Sequence, residues 1–142
     1  MTPNEYQREA LRTEYTPDFI QASELGRVTS TEPPTIRPLD HKTMLARVMH
    51  GMIGIATEAG ELQDAIKKHM IYGRDLDLVN VMEEVSDVLW YCALTLDAAG
   101  FTFEQAMERN IAKLRARFPD KFTSELANNR DLDAERAALE DG

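Results

Sequence analysis

The chain contains a single cysteine, Cys92, so it cannot form an internal disulfide, and its composition gives no sign of an oxidising compartment. It also lacks the run of about 18 apolar residues that a membrane span requires. The start of the chain, Met1–Ala10, is polar and lacks the apolar core of a signal peptide. We therefore expect a soluble cytoplasmic protein that has no membrane partner.

Basic residues are scarce as well. The chain has 16 Lys and Arg residues against 25 Asp and Glu residues, which gives a formal net charge of −9. Affinity for DNA or RNA comes mainly from cations that neutralise phosphates, so we expect no nucleic-acid polymer as a partner. A small phosphate ligand is compatible with this charge if a divalent cation stands between the acidic side chains and the phosphate oxygens.

The remaining composition is that of a folded protein, with 43% hydrophobic and 29% charged residues. Its 142 residues are the length of one domain, and we predict a single all-α domain over residues 1–142. Four prolines interrupt residues 16–42, which predicts a long loop there with at most a short helix near residues 18–25. Residues 120–142 are polar and predict a C-terminal tail with one short helix, near residues 131–139.

Capping and termination signals predict four further helices. Thr2 with Glu5 forms a capping box for the first helix, which ends near Thr13. The other three are predicted over residues 43–72, 78–99 and 103–118. Apolar residues at spacings of three and four predict the buried faces of the two longest helices: Leu45, Val48, Met52, Ala56, Ala59, Leu62 and Ile66 on one, and Leu78, Met82, Val85, Leu89, Cys92 and Leu96 on the other.

Each of the two longest helices carries a pair of acids three residues apart, Glu58 with Glu61 and Glu84 with Asp87. This spacing puts both members of a pair on one helix face. Spacing alone is weak evidence, because about four such pairs are expected by chance in a chain this acidic. Asp87 has apolar sequence neighbours, and glycines and an alanine lie near the first pair where a solvated face usually carries polar residues. Both observations indicate a functional role rather than simple solvation.

The two helices are joined by a short turn, so they are predicted to pack antiparallel. Glu61 lies about 12 residues before the turn and Glu84 about 9 after it, so the two pairs reach similar heights at about 1.5 Å per residue. Two like charges about 4 Å apart repel by about 4 kcal/mol at an effective dielectric near 20. A cation must therefore offset the cluster, and oxygen ligands without His or Cys favour Mg²⁺ or, as a substitute, Mn²⁺ over zinc.

Two alternatives belong to other functional classes. In the first, the chain is a non-enzymatic helical module for oligomerisation or interaction, and its acids are surface charge. In the second, it is a ferritin-like di-metal protein, which requires Glu-x-x-His motifs. No such motif occurs, since Pro38, Arg47 and Ile66 stand three residues before the histidines. The first alternative stays open.

Three segments resemble the MazG-like branch of the all-α nucleoside triphosphate pyrophosphohydrolases, in particular its phage-type members. They are residues 54–64 (GIATEAGELQD), 83–91 (EEVSDVLWY) and 110–119 (NIAKLRARFP), and residues 6–13 (YQREALRT) add to the likeness. Thr57 stands where the family often has an additional glutamate. The resemblance implies an oligomeric all-α helical bundle, usually a homodimer or homotetramer, whose antiparallel helix pair carries an acidic metal site.

The resemblance also implies an activity, the Mg²⁺-dependent hydrolysis of nucleoside triphosphates to a nucleoside monophosphate and pyrophosphate, with dNTPs as expected substrates. Glu58, Glu61, Glu84 and Asp87 match the metal-binding acids, and Glu61 is the candidate general base for an attacking water. The phosphate charge of the substrate requires cationic side chains, and recognition of the base requires polar or aromatic side chains. The candidate substrate-binding residues are Lys68, Tyr91, Asn110, Lys113 and Arg117.

Overall fold

The computed structural model describes residues 1–15 and 41–140, which form six α-helices and no β-strand. The helices are α1 (Pro3–Leu11), α2 (His41–Tyr72), α3 (Leu78–Ala98), α4 (Phe103–Arg117), α5 (Ser124–Asn128) and α6 (Leu132–Glu140). The predicted all-α fold is confirmed, and α6 is the short helix expected in the tail. The loop predicted over residues 16–42 lies outside the described residues up to residue 40, whereas residues 41 and 42 belong to α2.

The helix starts follow the capping signals of the sequence. Thr2 and Glu5 form the predicted capping box of α1, and Thr102 and Gln105 form the same arrangement at α4. The Asp77 side chain accepts hydrogen bonds from two backbone N–H groups in the first turn of α3. A cap of this kind contributes about 1 kcal/mol, because it satisfies N–H groups that a helix start leaves unpaired. Local sequence therefore fixes where these three helices begin.

Helices α2 and α3 form an antiparallel hairpin. Gly73 ends α2 with a left-handed backbone (φ +65°), and its N–H donates to the His69 carbonyl oxygen at 3.2 Å. Glycine adopts this conformation readily, which makes it the common residue just past a helix end. A turn of only a few residues follows before Asp77 caps α3, so the two helices run side by side in opposite directions.

The seam between α2 and α3 depends on two buried glycines. A Cβ atom added at Gly54 would overlap the ring of Tyr91. One added at Gly51 would overlap the Thr95 hydroxyl and lie 3.2 Å from the Tyr91 carbonyl oxygen. The absence of side chains on this face of α2 lets the two backbones approach closely.

The long apolar side chains of the hairpin do not form its core. The buried apolar residues described are Ala93, Leu94 and Ala98, all on α3. Several residues predicted to be buried are exposed instead: Leu45, Met52, Ile66, Leu78, Met82, Val85 and Leu89. The prediction was wrong for these residues because the glycine-rich face packs within the chain, and at about 100° per residue the long side chains then fall on the opposite side of each helix. Met52, for example, is 61% exposed.

Helix α1 packs against α3. The indole N–H of Trp90 donates to the Ala10 carbonyl oxygen at 3.0 Å and to the Thr13 hydroxyl at 2.9 Å. The chain just after α1 is also tied to α2, because the part-buried Arg47 guanidinium donates two hydrogen bonds to Glu14, both 2.7 Å long. The same guanidinium donates to Asp97 near the end of α3 at 2.7 Å. These charged bonds connect three segments of residues 1–100.

Residues 101–142 form a second compact unit, distinct from the unit of residues 1–100. Within it, α4 packs against α6, and the buried carboxylate of Glu135 receives hydrogen bonds from Arg117 (Nε–Oε1, 2.8 Å) and from Arg130 (Nη2–Oε2, 2.7 Å). The hydrogen bonds of Arg130 and Arg117 hold the pKa of Glu135 well below its ordinary value of 4.5. The single domain predicted over residues 1–142 stays a prediction.

None of the described helices combines the length and the hydrophobicity needed to cross a membrane.

Candidate metal and substrate site

Three of the four predicted metal-binding acids converge at the α2–α3 seam. One carboxylate oxygen from each of Glu58, Glu84 and Asp87 lies within 4.8 Å of the others. Glu58 projects from α2 about one turn after Gly54, and the other two acids lie one turn apart on α3. The antiparallel packing and the matched heights inferred from the sequence explain this convergence.

Glu84 is the most deeply placed of the three, with only 7% of its surface exposed. The side-chain amide of Asn80, one turn earlier on α3, donates to its Oε1 at 2.7 Å. A buried carboxylate needs such partners, and a hydrogen bond from a neutral amide leaves its negative charge in place. Asn80 was missed in the sequence, although its spacing of four residues from Glu84 on one helix was available as a signal.

Glu58 is half-buried, and its electrostatic surroundings are unfavourable for its charge. Burial raises the pKa of Glu58 above its ordinary value of 4.5, and the charges of Glu61, Asp87 and Glu84 raise it further. The Thr57 hydroxyl, whose oxygen lies 3.3 Å from Glu58 Oε1 and 2.9 Å from the Gly54 carbonyl oxygen, acts in the opposite direction. Thr57 thus supplies a neutral hydroxyl next to the cluster, at the position where a glutamate would have added another acid.

In the described part of the chain, the acidic cluster has no cationic partner. Among residues 1–15 and 41–140, no Lys, Arg or His side chain forms an ion pair with Glu58, Glu61, Glu84 or Asp87. The donors that meet are hard carboxylate oxygens, without imidazole or thiolate, and this set suits Mg²⁺ or Mn²⁺ rather than zinc. The residues present therefore fit a divalent cation of that kind.

Glu61 is exposed and lies outside the group of three, although its charge acts on Glu58. It lines a cleft of about 760 Å³ that runs along the hairpin from Glu84 to the α2–α3 turn. The cleft is lined by Thr57, Gly60, Glu61, Asp64, Ala65, Lys68, Arg74, Asp75, Asp77, Asn80 and Glu84. Glu61 thus faces open space beside the acids rather than completing their oxygen cluster.

A smaller cleft, of about 360 Å³, lies beside the acids and is lined by Glu58, Asp87, Trp90 and Tyr91. The Tyr91 ring is held edge-on between Trp90, 4.9 Å away between centroids, and His50, 5.7 Å away. Tyr91 was a predicted substrate-binding residue, and the structure places it at this cleft and against Gly54. Trp90 was not predicted, and its apolar sequence neighbours gave no signal that separated it from core residues.

Tyr6 of α1 reaches the same region. Its hydroxyl donates to the Ser86 carbonyl oxygen at 3.3 Å. Burial raises the pKa of Tyr6 above its ordinary value of 10.0, and the negative charge of Asp87 raises it further. The N-terminal helix is therefore within electrostatic reach of the acidic cluster.

The other predicted substrate-binding residues fall in both units. Lys68 lines the larger cleft, where its Nζ lies 2.6 Å from Asp64 Oδ2. Asn110, Lys113 and Arg117 lie on α4 in the unit of residues 101–142. Arg117 already bonds to Glu135 there. Their predicted contact with substrate stays a prediction.

The fold and the site together define a class: an all-α protein in which an antiparallel helix pair presents paired acids, fitted to a divalent cation, beside an open cleft. Comparison with protein families identifies it further, because residues 43–122 match the MazG nucleotide pyrophosphohydrolase domain, and this match covers more than half of the chain. The chain belongs to the MazG family, and by class it is a nucleotide pyrophosphohydrolase. Neither a curated protein nor a solved structure could be matched to it.

Proposed function

We propose that the chain hydrolyses nucleoside triphosphates, dNTPs included, between the α and β phosphates, and releases a nucleoside monophosphate and pyrophosphate in the presence of Mg²⁺. One observation carries the proposal: Glu58, Glu84 and Asp87 bring carboxylate oxygens within 4.8 Å of one another, and no described protein cation pairs with them. Such a cluster repels itself unless a cation is bound, and triphosphates are normally handled with Mg²⁺.

The four acids divide into two roles. Glu58, Glu84 and Asp87 would hold the cation, and the amide of Asn80 fixes the orientation of the Glu84 carboxylate. A divalent cation held there, Mg²⁺ or Mn²⁺ in its place, would supply neutralisation of phosphate charge and activation of an attacking water. Glu61, which stays outside the oxygen cluster, accepts the proton from that water. This division leaves one carboxylate free for proton transfer.

The substrate has room along the hairpin. The larger cleft, about 760 Å³, is of the size of small-molecule sites, which are commonly about 300–1,000 Å³. Lys68 in that cleft is proposed to contact phosphate, and Tyr91 in the smaller one is proposed to stack on or bond to the nucleoside. Asn110, Lys113 and Arg117 are proposed substrate residues through the family resemblance.

We also propose that the chain works as a homodimer or homotetramer. The outward faces of α2 and α3 carry exposed Met49, Met52, Ile53, Met82, Val85 and Leu89. Apolar side chains grouped on one side of a hairpin are typical of surfaces that meet another subunit. Sedimentation at micromolar concentration is expected to give at least twice the monomer mass of 16.1 kDa. A monomer mass would contradict this part of the proposal.

A direct assay tests the activity. The protein is incubated with each canonical NTP and dNTP plus Mg²⁺, and the products are separated by ion-exchange chromatography. We expect nucleoside monophosphate and pyrophosphate in equal amounts, and no turnover with EDTA. Glu84→Gln should lose activity, whereas Glu83→Gln, a change of an exposed neighbour, should keep it. Release of orthophosphate and a diphosphate would instead mean cleavage at the terminal phosphate.

The exposed apolar face also favours a second function, a non-enzymatic oligomerisation module. In that case the acids are surface charge without a bound cation. Thermal unfolding with and without Mg²⁺ separates the two functions, because a ligand that binds only the folded state raises the midpoint. An unchanged midpoint together with no hydrolysis would favour the module.

A further inference from the structure

We propose that Arg74, in the turn between α2 and α3, binds the outer phosphates of the substrate. The inference rests on the proposed triphosphate hydrolysis and adds a residue to it. Arg74 lines the same cleft as Glu61, Glu84 and Asn80, at the end where the two helices connect. Arg74 lies outside both acid motifs in the sequence, and only the fold brings it to the same cleft.

The backbone of Arg74 is held from both sides. Gly73 before it has the left-handed conformation that ends α2, and the His69 Nδ1–H donates to the Arg74 carbonyl oxygen at 2.7 Å. Asp77, three residues later, caps α3 through two backbone N–H groups. A side chain on a turn anchored in this way loses less freedom on binding a ligand than one on a long loop.

Arg74 is also the cation of the cleft whose side chain pairs with none of the described residues. Two cationic residues line the cleft, and the ammonium of Lys68 is already paired with Asp64 at 2.6 Å. The Arg74 guanidinium forms no hydrogen bond and no ion pair with any residue in the described part of the chain. Guanidinium binds phosphate through two parallel N–H···O bonds, which Lys cannot reproduce.

The placement matches a phosphate chain whose inner end lies at the acids. Glu84 stands seven residues after Asp77, so it lies about 10 Å along the helix axis from the start of α3 at about 1.5 Å per residue. The cleft spans this distance. Phosphates near the acids would be neutralised by the cation that Glu58, Glu84 and Asp87 would hold, and phosphates farther along would meet the guanidinium.

The test compares Arg74→Ala with wild-type protein and with Arg12→Ala, which removes the same charge from an exposed residue just after α1. Circular dichroism first checks that both variants are folded, which we expect because both side chains are on the surface. Isothermal titration then measures binding of inorganic tripolyphosphate with Mg²⁺ and of Mg²⁺ alone. Steady-state kinetics give KM for the best nucleoside triphosphate.

We expect Arg74→Ala to weaken tripolyphosphate binding and raise KM by about 10- to 100-fold, the range for a charge-assisted hydrogen bond, with Mg²⁺ binding unchanged. Arg74→Lys should recover only part of the loss, and Arg12→Ala should behave as wild type. Wild-type values for both quantities in Arg74→Ala would overturn the role of Arg74 alone. Wild-type protein that neither binds tripolyphosphate nor hydrolyses any triphosphate would overturn this role and the proposed function together.

Discussion

The packing of α2 on α3 allows a quantitative prediction, because one glycine of α2 is packed against Tyr91 and another has open space beside it. A Cβ at Gly54 would overlap three ring carbons of Tyr91, whereas a Cβ at Gly60 meets nothing within 4 Å beyond its own helix among the described residues. Both positions are inside the same helix, so Gly→Ala gains the same helix propensity, about 1 kcal/mol, at each. The difference between the two variants therefore isolates the contact.

The magnitude follows from what the Tyr91 ring can do. Trp90 and His50 contact the ring edge-on and restrict its movement, so the clash is expected to separate the helices or to force a strained rotamer. Overpacking of this kind costs about 1–3 kcal/mol, and we take about 3 here. Gly54→Ala should then be about 2 kcal/mol less stable than wild type, and Gly60→Ala about 1 kcal/mol more stable.

Urea unfolding followed by circular dichroism measures this difference. A gap of about 3 kcal/mol corresponds to midpoints about 1.5 M apart if the slope is near 2 kcal/mol per M. Gly54→Ala should also lower turnover strongly, because Gly54 lies one turn from Glu58 and a shift of about 1 Å in a site can reduce rate by about 100-fold. Adding Tyr91→Ala should restore part of the stability. Equal midpoints for the two alanine variants would refute the close approach of α2 and α3.

Three further predictions concern other contacts. Asp87→Asn should lower Mg²⁺-dependent turnover by at least about tenfold with the fold intact, because losing a ligand perturbs the cation more than the core; turnover like that of the Glu83→Gln control would remove Asp87 from the site. Arg47→Lys should lower the free energy of unfolding by about 2 kcal/mol in urea titrations, because an ammonium cannot replace the bidentate, part-buried hydrogen bonds to Glu14. A decrease below about 0.5 kcal/mol, as for an exposed ion pair, would contradict this. The depressed pKa of Glu135 means that its ion pairs stabilise the fold fully above the ordinary value of 4.5 and progressively less as pH falls toward the lowered one. Thermal melts from pH 6 to pH 3, taken as rough limits around that range, should therefore show the gap between wild type and Glu135→Gln closing with acid, and a gap that widens would reverse the sign of the argument.

Much of this fold could be predicted because its signals are local. The capping boxes at Thr2 and Thr102, the Asp77 cap and the glycine after α2 act within a few residues of one another. The matched heights of the two acid pairs follow from helix rise and a short turn. The convergence of Glu58 with Glu84 and Asp87 needed no more information than that.

The face that packs within the chain could not be predicted from hydrophobicity. The long apolar stripe is the stronger pattern, yet Gly51 and Gly54 let α3 approach from the other side, and Met52 is left 61% exposed. A stripe of apolar residues indicates a buried surface, but it does not indicate whether that surface packs within the same chain or against another subunit. The position of Glu61 beside the oxygen cluster depends on side-chain directions, which residue spacing alone does not determine.

The indole of Trp90 joins two parts of the molecule that are far apart in sequence. Its N–H donates hydrogen bonds to Ala10 and Thr13, and its ring lines the small cleft together with Glu58 and Asp87. Trp90, the sole tryptophan, therefore contacts both the small cleft and the N-terminal segment. A ligand in the cleft or a change in the packing of that segment would alter its surroundings. Its intrinsic fluorescence should therefore report ligand binding at the acidic centre without an added dye. Deletion of the first residues of the chain should change the environment of the carboxylates that line the small cleft.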